Sequence, residues 1–292
     1  MIIVGENINI MSATLGSAMR EYRAEPVRAI SVALDRAGVD YLELNIGPAK
    51  KAGAELMPWL INIVQGVTSR PISLDTTNPE AIEAGLKLVK GRALINSVSL
   101  QPERLERILP LVTRYDTKMI GLLWGIEGMP RDTSERCLLA VDLAYKANEL
   151  GIKSEDIWMD PIATPVSGDI SQVVAVGEFL QMLPEICPGC KSIVGLSNVS
   201  NGTPTHLRPY LNRTYLVMLE RYGLYAAIAD ALDNELLAIA RGDRPSIVNL
   251  IHLAMDSEYI DLDALSDEEA KYVKTVRVLN GTALYSHAWL EA

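Results

Sequence analysis

Short apolar or β-branched runs alternate with longer amphipathic stretches from Met1 to Asp230. The runs Ile2–Val4, Tyr41–Leu44, Ile72–Leu74, Ala93–Ile95, Met119–Leu122, Ile157–Met159, Ser192–Val194 and Ala226–Ile228 predict eight strands. The stretches between them predict helices, two of which carry clear start signals. Asn78-Pro79-Glu80 supplies an N-cap, a proline at the first helical position and an early acid. Asp132-Thr133-Ser134-Glu135 opens a helix that runs to a glycine stop at Gly151.

Eight strand–helix units in one chain predict an α/β protein of the closed (β/α)8 TIM-barrel type, with an open doubly wound sheet as the alternative. No Gly-x-Gly-x-x-Gly follows the first strand, which counts against the open sheet. Past the eighth unit the chain runs through Arg241-Gly242-Asp243 and an acidic segment from Asp256 to Glu269. The expectation is one domain over 1–292, with a helical C-terminal extension from about residue 241 that closes or dimerises the barrel.

Composition narrows the function classes. The chain has 292 residues, 49% of them hydrophobic, enough for one large core. Net charge is −10 and no window concentrates Lys and Arg, so the basic footprint that nucleic acid requires is missing. No apolar run reaches membrane-spanning length. The N-terminal apolar run is broken by Glu6 and two asparagines and lacks a basic leader, which predicts a cytoplasmic protein. Cys187-Pro188-Gly189-Cys190 precedes a strand rather than following one and has no second ligand pair, so it reads as two ordinary thiols in a loop.

In a barrel of this kind, chemistry sits at the C-terminal ends of the strands. Those ends hold Glu6, Asn7 and Asn9, then Glu43 and Asn45, Asp75 and Asn78, Asn96, Asp160, Asn198 and Asn201, and Asp230. Any one of them is explicable as a helix cap, and Asn78 is best read so. Amides on so many strands are not required by capping. No Cys or Lys stands at a strand end, His206 is the one histidine near, and no His/carboxylate cluster predicts a metal. Triad acyl transfer, Schiff-base chemistry and zinc hydrolysis therefore lack their usual participants. The set suits a flat polar heterocycle: a 2-amino-4-oxo-pyrimidine offers adjacent N–H donors to a carboxylate such as Asp75 or Asp160, and asparagine amides match its other edge.

The segments Leu74-Asp75-Thr76-Thr77-Asn78, Ile95-Asn96-Ser97, Met159-Asp160-Pro161 and Gly195-Leu196-Ser197-Asn198-Val199-Ser200 resemble the pterin-binding barrel family. Within it the chain resembles the methyltetrahydrofolate:corrinoid/iron-sulfur protein methyltransferases, relatives of the folate domain of cobalamin-dependent methionine synthase. Asn212-Arg213-Thr214-Tyr215 and Ala226-Ala227-Ile228-Ala229-Asp230 are similar to the same branch. The chain departs from the family pattern at Glu43, where Asp is expected, at Asn7, where a basic residue is frequent, and in a slightly longer loop from Asn198 to Arg208.

The resemblance implies that Asp75, Asn96 and Asp160 hold the pterin ring. It places Asn198 beside N5 as the catalytic residue, and puts Gly195, Ser197, Asn201, Arg208 and Glu6 at the folate site. Gly195 would let the ring approach the backbone. It further implies methyl transfer between N5 of methyltetrahydrofolate and the cobalt of a corrinoid (cobalamin) on a partner protein, tetrahydrofolate as the demethylated form, no bound metal, and a homodimer. Dihydropteroate synthase on the same fold and a non-catalytic folate-binding subunit are the alternatives. The former would need cations near strands seven and eight for a pyrophosphate ester, and Gly195–Asn201 carries none.

Overall fold

All eight apolar runs form strands. The computed structural model describes residues 1–49, 52–257 and 259–291. Strands β1 (Ile2–Asn9), β2 (Tyr41–Gly47), β3 (Ile72–Thr76), β4 (Leu94–Val98), β5 (Lys118–Leu122), β6 (Ile157–Asp160), β7 (Lys191–Gly195) and β8 (Ala226–Ala229) are parallel, follow chain order around a barrel, and close it where β8 pairs with β1.

Helices α1 (Ala13–Arg20), α2 (Ala24–Ala37), α3 (Gly53–Gln65), α4 (Pro79–Leu86), α5 (Pro102–Arg107), α6 (Leu109–Arg114), α7 (Thr133–Glu149), α8 (Ile170–Ile186) and α9 (Arg208–Arg221) form the outer layer. The two start signals act as expected. Asn78 Oδ1 accepts from the Glu80 and Ala81 amides at 3.0 and 3.2 Å. Asp132 Oδ1 accepts from the Glu135 amide at 2.9 Å, and Gly151 turns the chain after α7 with φ +81°.

The lower lumen is packed by Val4, Tyr41, Leu94, Ile120, Trp158, Ile193, Ala226 and Ile228. Trp158 meets Tyr41 and Tyr225 edge to face at 5.6 and 5.3 Å between ring centroids. Each side chain buried in this way contributes about 1.5–3 kcal/mol. The lumen is thus sealed below, and polar groups are confined to the opposite end.

Strands β1, β2 and β4 run further toward that end than their apolar runs predict. Glu6, Asn7 and Asn9 lie within β1, Asn45 within β2 and Asn96 within β4 rather than after them, and Asp75 and Asp160 likewise lie within β3 and β6; Glu43 is inside β2 as its run places it, and Ala93 stays outside β4. Backbone pairing continues where the inward side chains turn polar, so hydrophobicity stops before the strand does. The register shifts between Gly5 and Ile8, between Asn45 and Gly47, and between Ile95 and Val98. Such bulges re-aim side chains. Here they coincide with Glu6, Asn45 and Asn96.

Beyond β8 the chain forms α10 (Asn234–Ala240), α11 (Pro245–Asp256) and α12 (Asp267–Leu279). Helices α11 and α12 pack on each other and on α9, and Tyr272, Val273 and Val276 on α12 are buried. The acidic segment has a local structural cause at its end: Ser266 and Glu269 form a reciprocal capping box, and Asp267, Glu268 and Glu269 occupy the first turn of α12, where the helix dipole favours acids. Glu258, also in that segment, lies outside the described residues. Cys187 and Cys190 are free thiols in the turn that enters β7, at the end of the barrel opposite the polar one. Among the described residues, no helix is long and apolar enough to cross a membrane.

Candidate active site at the barrel mouth

One wall of the mouth is set by strand register. Asn45, Asp75 and Asn96 are neighbours in one row across β2, β3 and β4. The Asn45 amide donates to Asp75 Oδ2, and the Asn96 amide donates to Glu43 Oε1 at 2.8 Å. Glu43 lies two residues below Asn45 on β2 and is buried. On the facing side, Asp160 ends β6 and is buried, its Oδ1 accepting from the Ile162 amide at 2.8 Å.

The β7 end supplies the other wall. Leu196–Ser200 forms a short 3-10 turn, leaving Asn198 exposed. A Cβ placed on Gly195 would meet Asn198 Nδ2 at 3.0 Å, so the close approach at this glycine is to the asparagine amide. Asn201 Nδ2 donates to Asn198 Oδ1 over 3.4 Å, a weak bond that orients the amide. The Ser197 hydroxyl donates to Glu6. Arg208 Nε donates to Ser200 Oγ at 3.0 Å, and Ser200 donates to the Ser197 carbonyl at 3.1 Å. The loops after β6 and β7 are joined by the Val166 amide donating to the Val199 carbonyl at 2.9 Å.

An open groove of 1290 Å³ extends from this wall. Glu6, Ser197, Asn198, Asn201 and Arg208 line it together with Asn7 and Asp230. Asp75, Asn96, Asp160 and Gly195 lie outside its lining, on the deeper inner wall. Asn78 caps α4 and donates its amide to the Ala49 carbonyl at 3.1 Å, and Asn7 is held by Asp230 and the Ala231 amide. His206 is exposed and outside the groove. Among the described residues, no group of three or more His, Cys, Asp or Glu side chains is arranged to hold a metal ion.

The family described as "Pterin binding enzyme" matches residues 43–230, the span that carries Asp75, Asn96, Asp160 and Asn198. This chain belongs to the pterin-binding enzyme family. It is 25% identical over 239 residues to the methylcorrinoid:tetrahydrofolate methyltransferase of Eubacterium limosum, a match covering 81% of this chain and 88% of that protein. It is also 25% identical over 279 residues to methionine synthase of Mycobacterium tuberculosis (strain ATCC 25618 / H37Rv); the match covers 91% of this chain and 23% of that much longer protein. The structure of Xanthomonas albilineans dihydropteroate synthase with 4-aminobenzoic acid superimposes with a TM-score of 0.64 at 19% identity, covering 84% and 92% of the two chains. That likeness is one of fold.

The electrostatics of this pterin-binding barrel are dominated by desolvated carboxyls. Burial pushes Asp75 up to about 7, while the Asn45 amide and then the Arg104 guanidinium pull it down. Burial pushes Asp160 up to about 6 against the Ile162 and Gly195 amides and the charge of Arg136. Glu43 is raised well above the carboxylate range, first by burial and then by the Asp75 charge. Burial also raises Glu6; Ser197 and Arg208 draw it down, and Asp230 pushes it up. Burial and the Asp75 charge thus favour the protonated form of Glu43, and burial favours that of Asp75.

Two arginines of this pterin-binding enzyme are not apparent from the strand ends. Arg104 on α5 lies within electrostatic reach of Asp75, and its buried Nη1 has no partner among the described residues. Arg136 on α7 is fully buried beside the β6 turn. Both sit on helices, where one cation in an amphipathic pattern reads as surface.

Proposed function

We propose that this pterin-binding enzyme transfers a methyl group between N5 of 5-methyltetrahydrofolate and the cobalt of a corrinoid carried by a partner protein. The similarity to the methylcorrinoid:tetrahydrofolate methyltransferase over 88% of that protein's length supports this chemistry. The observation that carries it is the charge of the groove. Among the described residues its lining holds one cation, Arg208, against Glu6 and Asp230, with Asp233 balanced by a partner of its own. A pyrophosphate ester, which a dihydropteroate synthase must accommodate, meets repulsion in that setting. Nearby Arg213 is already paired with Asp233 at 2.6 Å.

In this reading Asp75 and Asp160 accept from the N–H edge of the pterin ring, and Asn96, held by Glu43, meets its other edge. A ring lacking the matching donors would leave a buried carboxylate unpaired, at a cost of about 1–3 kcal/mol. A docked corrinoid would supply the cobalt nucleophile that takes the methyl group from N5 or, in the reverse direction, the methyl group that N5 takes. Asn198 provides the chain's own contribution to the step. Its oxygen faces Asn201, so the Nδ2 end is free to donate to N5. As the N5–methyl bond breaks, electron density builds on N5 and that donor strengthens, with a proton from water then completing the released amine; stabilisation realised only in the transition state raises turnover.

Gly195, Ser197, Glu6, Asn201 and Arg208 complete the folate site in the same reading, and the open groove leaves space for the corrinoid protein. A homodimer belongs to it as well, with light scattering as its check; α7 leaves Leu138, Val141 and Tyr145 exposed. The deciding experiment follows the cobalt spectrum of cob(I)alamin mixed with 5-methyltetrahydrofolate and the protein. Conversion of the cob(I) spectrum to that of methylcobalamin is expected. Tight folate binding with a silent cobalt spectrum would instead make the chain a folate-binding subunit.

A further inference from the structure

Arg136 has an arrangement that helix packing alone does not call for. It is fully buried in the first turns of α7, yet it forms no salt bridge among the described residues. Its Nε donates to the Pro161 carbonyl at 2.9 Å, its Nη1 to the Asp132 carbonyl at 3.2 Å and its Nη2 to Gln172 Oε1 at 2.8 Å. Gln172 is held in turn by donating to the Arg131 carbonyl. Burying a guanidinium without a counter-ion costs several kcal/mol, and an apolar side chain would fill the space between α7 and α8 without that cost.

The acceptor at Pro161 connects the arrangement to the site. Pro161 lies between Asp160 and Ile162, and Ile162 has φ +66°, a strained conformation for a β-branched residue. The Ile162 amide closes the same turn by donating to Asp160 Oδ1 at 2.8 Å. The turn is thus held from the lumen by the carboxylate and from outside by the guanidinium. We propose that Arg136 is a positioning residue for pterin recognition: by clamping the Pro161 carbonyl it holds the strained Asp160–Pro161–Ile162 turn, so that the second Asp160 oxygen points into the mouth. This rests on the reading of Asp160 as an acceptor for the ring.

Two kinds of readout separate positioning from simple packing. The groups facing Asp160 are the Ile162 and Gly195 amides, Arg136 from α7 and the Tyr215 phenol from α9; Arg136 itself faces Asp132 and Glu178. The Asp160 carboxyl is followed by carbon NMR in ligand-free protein, assigned with Asp160→Asn. In Arg136→Met its titration midpoint is expected to rise by about one pH unit, because a nearby cation favours the ionised form. Exchange of the Ile162 amide is expected to quicken about tenfold or more, as a local hydrogen bond opens. Gln172→Leu, which leaves the guanidinium in place and releases Nη2, should give a smaller change of the same sign and serves as the test if Arg136→Met does not fold.

The second readout is a binding cycle with 5-methyltetrahydrofolate. Arg136→Met should weaken binding about tenfold, with no further loss when Asp160 is already Asn. An unmoved Asp160 midpoint and Ile162 exchange in a folded variant, or an equal loss in both backgrounds, overturns the proposal. If the unaltered protein binds no folate, the functional reading fails, while the NMR titration still decides what Arg136 does to Asp160.

Discussion

The Asn96 amide reaches past β3 to donate to Glu43 Oε1 at 2.8 Å, so the deepest acid of the site orients an amide two strands away. Burial and then the Asp75 charge push Glu43 well above its ordinary value, favouring the neutral form, and a neutral acid loses little by becoming an amide. Glu43→Gln should therefore change stability by less than about 1 kcal/mol, whereas Glu43→Ala, which leaves Asn96 unpartnered over a cavity, should cost about 2–4 kcal/mol. Urea unfolding at pH 7 checks this. A Gln variant as damaged as the Ala variant would mean that Glu43 is ionised.

Stability should depend on pH in a definite direction. Asp75 and Asp160 stand at about 7 and about 6 in the folded chain against 3.8 for an ordinary Asp. The folded state holds protons that the unfolded state has released, so this contribution is complete below pH 3.8 and is lost as pH rises through about 6 and 7. The urea midpoint of the ligand-free protein should carry a falling component across that window. Asp75→Asn should flatten it, and an unchanged slope in that variant would contradict the assignment.

Folate affinity should move the opposite way over the same range. Only the ionised carboxylates accept fully from the ring N–H groups, so binding is expected to strengthen as pH rises from 5 through about 7. Calorimetric titration of 5-methyltetrahydrofolate at fixed ionic strength reads this out. Affinity that declines over the interval would remove Asp75 and Asp160 from the role of acceptors.

Asn198→Ala should slow single-turnover methyl transfer by about 2–4 kcal/mol in barrier height while leaving folate affinity within about threefold. Gly195→Ala should slow it too, because its Cβ would meet Asn198 Nδ2 at 3.0 Å and push the amide aside. The pair of rate constants, measured by rapid mixing, is the check. Full activity in Asn198→Ala would exclude donation to N5.

Arg208→Gln should weaken folate binding about tenfold, since a cation facing carboxylates at a partly open site is worth about 1–2 kcal/mol. It should also free Glu6 from its one opposing cation and raise that acid further. Unaltered affinity would leave Arg208 as a brace for Ser200 alone.

The barrel was readable from the sequence because each strand carries an apolar segment packed against its neighbours, and such segments give a local signal. The family resemblance pointed to Asp75, Asn96, Asp160 and Asn198 together, and all four fall within the matching span 43–230. Strand length at the mouth was not readable, because Glu6, Asn45 and Asn96 continue the ladder with polar side chains where hydrophobicity ends. Arg104 and Arg136 were hidden for another reason. Arg104 faces Asp75 of β3, and Arg136 is buried against Pro161 and Gln172, relations between distant segments that no local pattern records.

The contact between Gly195 and Asn198 ties two positions into one unit of substitution. A side chain at 195 requires the Asn198 amide to give by a few tenths of an ångström, and a chain that loses Asn198 is free of that contact. Barrels descended from this one should therefore show the two residues kept together or lost together. A lone exchange at 195 would mark a protein already abandoning its chemistry.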